Sequence, residues 1–195
     1  MERGFIGRRP EIQEGVRVLK GFSEKYGLLI HGPAGIGKSC LAGKLIERCP
    51  DKALIVLHGE LKASDLVRKL RDLFDRQGIA SGLDVLKAEN LELDEKIKAL
   101  FRPSGGLHEQ PTILYCDDFE QNLIRRGDEH HLTPAARDLL IPLLTALDWA
   151  EGKTNLIITS RYPFVLERDG VNLPKAKLQE ISLMSVRKAD VKKAG

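Results

Sequence analysis

Residues 27–45, GLLIHGPAGIGKSCLAGKL, decide how the rest of the chain reads. Leu28, Leu29 and Ile30 form a short apolar run that reads as a buried strand. The loop GPAGIGKS follows, placing Gly32, Gly37, Lys38 and Ser39 at the spacing G-x-x-x-x-G-K-[ST]. Leu41, Leu45 and Ile46 then recur at helical spacing. A strand, a glycine-rich loop and a helix, in that order, are the context in which this pattern means polyphosphate binding.

Phosphate chemistry explains the residue types. A polyphosphate must be wrapped by donors, and Gly32, Gly35 and Gly37 let backbone approach it closely and adopt positive φ. The loop N–H groups then form an anion-binding nest, reinforced by the helix N-terminus. Lys38 reaches the terminal phosphates and the Ser39 hydroxyl can ligate Mg²⁺. Pro33, Ala34 and Ile36 complete the loop, and Cys40 follows on the helix. A chance match in a chain this long has odds on the order of one per cent.

Composition narrows the alternatives. The 195 residues suit one domain with a full core. Aromatics are 5% and the net charge is +3, which argues against a base-stacking or strongly basic nucleic-acid surface. No run approaches the roughly 18 apolar residues of a membrane span, and the N-terminus lacks an apolar signal core. The reading is of a cytoplasmic protein with no membrane partner. Cys40, Cys49 and Cys116 lack metal spacing and read as small packing residues.

A second site-bearing segment is TILYCDD, residues 112–118. An apolar strand runs into Asp117 and Asp118 at its C-terminal end, where open α/β sheets place ligands. Asp117 is the expected Mg²⁺ ligand, and Asp118 the carboxylate that orients an attacking water, with Glu120 as a second candidate. A further strand, NLIITSR, ends at Arg161, whose guanidinium could bond a γ-phosphate. Strands are also expected at residues 53–57 and 176–184.

Between the strands, helical periodicity marks a segment opened by Pro10, with Ile12, Val16, Leu19 and Phe22 on one face. A second helix is expected after an N-cap at Ser64, a third over 93–101, and a fourth after Thr133-Pro134, closed by Trp149 and Gly152. Residues 78–90 are ambiguous, and 103–111, 121–133 and 161–174 read as loops. His130 and His131 lack the spacing of a helical metal pair. Ser185 is expected to cap a short final helix. The alternation predicts an α/β fold with a mostly parallel five-stranded sheet.

FIGRRPE, GPAGIGKS, ILYCDDFE and IITSR, in this order, resemble the STAND class of P-loop NTPases, signal-transduction ATPases related to AAA+ proteins with a NACHT/NB-ARC-like core. The resemblance implies a three-layer α/β/α domain with strand order 5-1-4-3-2. It implies ATP or ADP with Mg²⁺ as ligands, and catalytic roles for Lys38, Asp118 and Arg161. By match to the class, Ile6, Gly7 and Arg8 border adenine and ribose, and Arg161 senses the γ-phosphate. It also implies a switch in which ATP permits homo-oligomerisation, with unidentified effector domains as partners. Members continue into a helical lid, so residues 1–195 are expected to be one NTPase core stopping where that lid would begin. Asp118, where many related ATPases carry Glu, predicts slow turnover. Two other readings stand beside this one: an AAA+ ATPase acting on nucleic acid, initiator-like or transposition-helper-like, and a nucleotide-binding scaffold without hydrolysis.

Overall fold

Continuous apolar runs become the strands of a central sheet, and amphipathic runs become the helices that cover it. The computed structural model describes residues 7–184. Its strands are β1 (Gly27–His31), β2 (Ala53–His58), β3 (Thr112–Asp117), β4 (Leu123–Arg126), β5 (Glu129–Leu132), β6 (Thr154–Ser160), β7 (Glu167–Arg168), β8 (Val171–Asn172) and β9 (Leu178–Ser182). Its helices are α1 (Arg9–Leu19), α2 (Lys38–Ile46), α3 (Ala63–Gln77), α4 (Ala80–Lys87), α5 (Leu93–Phe101), α6 (Gly106–Glu109), α7 (Pro134–Ala146) and α8 (Leu173–Lys177).

Five strands form one parallel sheet in the order β2-β3-β6-β1-β9. Counted among themselves and read from the other edge, they run 5-1-4-3-2. The higher labels arise because β4–β5 and β7–β8 are separate hairpins.

Strand alternation sorts the core into two layers. Leu28, Ile30, Ile113, Tyr115, Ile157 and Ile181 face α1 and α2, meeting Val18, Leu19, Leu41 and Leu45. Leu29, Ile55, Leu57, Leu114, Leu156 and Ile158 face the other way, into the larger cluster built with α3, α5 and α7. The result is the three-layer α/β/α arrangement. Among the described residues, no helix is long and apolar enough to cross a membrane.

Several expectations are corrected. Residues 80–87 are helical, and the stretch 103–111 contains α6. Helix α3 starts at Ala63 with Lys62 in the capping position, so Ser64 lies inside the first turn and caps nothing. Phe22 follows the positive-φ Gly21, beyond the end of α1, and is 71% exposed rather than on the apolar face. Helix α7 ends at Ala146 and continues as a 3₁₀ turn over Leu147–Ala150, earlier than the stop expected at Trp149. Thr133 does cap α7, its side chain accepting from Ala136 N. The last strand is shorter than expected because α8 reaches Lys177.

Two segments read as loops are hairpins. Gly127 (φ 63°) and Asp128 turn β4 into β5, and Asp169 (φ 52°) with Gly170 (φ 77°) turns β7 into β8. Both are two-residue turns whose chemistry tolerates positive φ. The strands they join are mostly exposed. Their weak apolar alternation hides them from periodicity. The Ser185-capped helix falls outside the described residues.

One buried polar side chain joins the sheet edge to the 3₁₀ turn Phe119–Asn122. Asn122 Oδ1 accepts from Leu61 N at 2.7 Å, and Nδ2 donates to Gly59 O at 3.0 Å and Phe119 O at 3.1 Å. Truncation would strand three buried backbone groups. Asn122→Ala is therefore expected to cost roughly 2–4 kcal/mol in urea unfolding. A loss well below about 1 kcal/mol would show that water or local relaxation satisfies those groups.

Candidate functional site

β1, β3 and β6 lie side by side and deliver their C-terminal residues to one edge of the sheet. The loop after β1 leads into α2, with Gly37 at its N-cap (φ 100°) and Gly35 at φ 74°. A Cβ at either position would meet no protein atom within 4 Å, so handedness demands glycine there. At Gly32 packing demands it, because a Cβ would come within 2.4 Å of Leu183 O. Pro33, Ala34, Ser39 and Cys40 are exposed, while Ile36 is half-buried.

Lys38 is buried and points back across its own loop. Its Nζ donates to Gly32 O at 2.8 Å and Pro33 O at 2.9 Å. Arg8 is also buried, donating to Ile36 O at 3.3 Å and Met184 O at 3.4 Å, with Glu11 Oε1 3.5 Å away. It braces the phosphate loop from behind, a role beyond that expected from the resemblance. Gly7 precedes it at φ 108°, and Ile6 lies outside the described residues.

Asp117 is the centre of the site. Its Oδ1 accepts from Tyr115 Oη at 2.7 Å, Thr159 Oγ1 at 2.7 Å and Ser39 Oγ at 3.0 Å. The expected pair Ser39 and Asp117 is thus brought into contact. Burial pushes the Asp117 carboxyl up, but the donors Thr159, Tyr115 and Ser39, helped by His58, outweigh it and hold the group below the usual carboxylate range. Burial also pushes the Tyr115 phenol up to about 12, so it stays a donor. The Cys116 thiol, fully buried on the same strand, is likewise pushed up to about 12 and is inert.

Asp118 departs from strand geometry at φ 52°, and its Oδ2 faces His58 Nε2 at 3.4 Å. His58 Nδ1 lies 3.3 Å from Asp117 Oδ2, because β2 and β3 pair in register at these two residues. Arg161 follows β6, and its Nε lies 3.1 Å from Glu120 Oε1. Glu120 Oε2 is buried without a partner.

The donor sets fit the ligands the fold implies. Ser39 and Asp117 offer hard oxygens 3.0 Å apart, suited to Mg²⁺, and the glycine loop presents an open cradle for phosphate. Sequence reasoning missed Tyr115 and His58. Tyr115 was detectable, since it stands two residues before Asp117 and so on the same strand face. His58 was not, because its place depends on which strands pair.

The lowered Asp117 carboxyl has a signed consequence. A folded value below the unfolded one contributes stability above the ordinary carboxylate range of about 4, and that contribution disappears as pH falls through the folded value. The stability difference between wild type and Asp117→Asn should therefore narrow as pH is lowered from about 6 toward about 3. Parallel unfolding curves across that range would refute the charged, hydroxyl-bonded state.

The family model described as "ATPase family associated with various cellular activities (AAA)" matches residues 28–172. No curated protein sequence matches the chain. Among solved structures, a STAND protein with a tetratricopeptide repeat sensor from Pyrococcus horikoshii is similar at TM-score 0.56 and 16% identity, over 98% of this chain and 25% of its own. Drosophila ORC bound to DNA is similar at TM-score 0.56 and 18% identity, over 97% of this chain and 46% of its own. The chain thus spans a quarter and under half of those two proteins. Domain III of the Thermotoga maritima replication initiation protein DnaA also matches, at TM-score 0.47 and 18% identity, over 96% of this chain and 67% of its own. The first two likenesses carry the fold; the match from β1 through β8, with the phosphate loop and the Ser39–Asp117 pair inside it, places this chain in the AAA ATPase family.

Proposed function

We propose that this chain is the ATP-binding, slowly hydrolysing switch module of a STAND-type signal-transduction ATPase. The observation that carries the reading is the pair Arg161–Glu120 at the sheet edge beside Asp117. A γ-phosphate can displace Glu120 from Arg161, whereas ADP has no group to do so. The site then distinguishes the two nucleotides by one ion-pair exchange. The STAND protein of similar fold supports this reading over nearly the whole chain.

The other roles follow from position. The loop from Gly32 to Cys40 holds the phosphates, and Lys38 exchanges its two loop carbonyls for phosphate oxygens. Ser39 and Asp117 would hold Mg²⁺, which would supply neutralisation of phosphate charge. Asp118 orients water, and its short side chain and turned backbone make that positioning weak, hence slow turnover. By the resemblance, Gly7 and Arg8 border the base. In a longer parent, the ATP state is the one that assembles with further copies and with effector domains, in the cytoplasm.

A nucleic-acid-acting AAA+ ATPase is the second reading, favoured by the fold shared with Drosophila ORC bound to DNA. A salt-dependent DNA affinity would select it. The net charge of +3 and the scarcity of aromatics favour the switch.

Calorimetric titration with ATP and ADP in Mg²⁺, with phosphate release followed in parallel, tests the proposal. No binding at about millimolar nucleotide would remove it. Arg161→Ala is expected to narrow the affinity gap between ATP and ADP, and an unchanged gap excludes Arg161 as the sensor. Asp118→Asn is expected to bind ATP like wild type while phosphate release stops. Normal release by that variant would transfer the water-orienting role to Glu120.

A further inference from the structure

His58 adds a nitrogen donor to a site for which the family reading needs only oxygen. Its imidazole sits at the end of β2, beside the end of β3, with one nitrogen toward each aspartate. Among the described residues, His58, Asp117 and Asp118 bring donor atoms within 4.8 Å of one another. We propose that His58 and Asp117 hold a divalent transition metal, with Asp118 beside them as a third donor. This deepens the nucleotide reading of the same site and rests on it for the metal's role, though not for the centre itself.

Spacing carries the proposal first. Two ligands on one tetrahedral metal, at bonds of about 2.0–2.2 Å, lie roughly 3.3–3.5 Å apart. His58 Nδ1 and Asp117 Oδ2 are 3.3 Å apart. Asp118 Oδ2 lies 3.4 Å from the other ring nitrogen, Nε2, so a third donor stands in the same cluster.

Asp117 is in turn supported. Tyr115, Thr159 and Ser39 all bond to its Oδ1, so Oδ2 is the oxygen that faces the imidazole. His58 is 64% exposed at the side chain, which leaves an entry path and the remaining coordination positions to water or phosphate.

Donor chemistry then selects the ion. Mg²⁺ asks for an octahedral shell of oxygens. Imidazole favours the later first-row metals, Co²⁺ and Zn²⁺ among them. A centre that includes His58 thus prefers those ions to Mg²⁺ and can take one before nucleotide arrives.

The probe is Co²⁺ alone, titrated into the full 195-residue chain at neutral pH without nucleotide. Visible absorption follows binding, and proton NMR looks for a strongly shifted, exchangeable imidazole N–H. The expected result is saturable binding with that signal. In His58→Asn the signal should vanish and Co²⁺ affinity should fall at least about tenfold. His58→Gln, an alternative replacement at the same exposed position, guards against a folding defect in the first variant. Equal Co²⁺ affinity in either folded variant, or no Co²⁺ binding by wild type, overturns the proposal. Mg²⁺–ATP titration of the wild type separates the two readings. ATP binding with Co²⁺ indifferent to His58 removes the metal centre alone, whereas His58-dependent Co²⁺ binding without ATP binding removes the nucleotide reading alone.

Discussion

Everything at the sheet edge depends on one oxygen atom. Asp117 Oδ1 receives three hydroxyls from three segments: Ser39 at the head of α2, Tyr115 from its own strand and Thr159 from β6. A neutral side chain there would accept less strongly, and an unpaired carboxylate would pay for its partial burial. The charge and the hydroxyls therefore justify each other. Through them the phosphate loop, β3 and β6 are held in one arrangement.

That arrangement is possible because the packing beneath it leaves no slack. Each central strand contributes alternate side chains to two opposite layers, so β1, β3 and β6 are gripped from both sides. Buried polar side chains here such as Thr112, Asn122 and Thr159 are paired, whereas Thr154 Oγ1 on β6 is not. Asn122 satisfies backbone from two loops at once. Glu120 instead keeps one buried oxygen without a partner beside the Arg161 pair, a polar debt of the kind that gathers at working sites.

Much of this was legible in the sequence. GPAGIGKS announced the loop, and the apolar runs before it and before Asp117 announced the strands, because burial on both faces leaves a continuous apolar signature. The two hairpins were not seen in periodicity, yet Gly127-Asp128 and Asp169-Gly170 are turn signals that local chemistry could have read. Ser64 misled because a good cap residue one step inside a helix looks the same in sequence as one at its start. His58 was hidden for a deeper reason. Its partners lie about sixty residues away and meet it only through strand register, which no local pattern encodes.

The back of the phosphate loop is tied to the chain that leaves the sheet. Gly32 lies against Leu183 O with no room for a side chain, Leu183 N donates to His31 O at 2.7 Å, and Arg8 grips both Ile36 O and Met184 O. The segment after β9 therefore acts as a strut under the loop. That segment thus meets the loop at the carbonyls of residues 31 and 36, through Leu183 N and the Arg8 side chain.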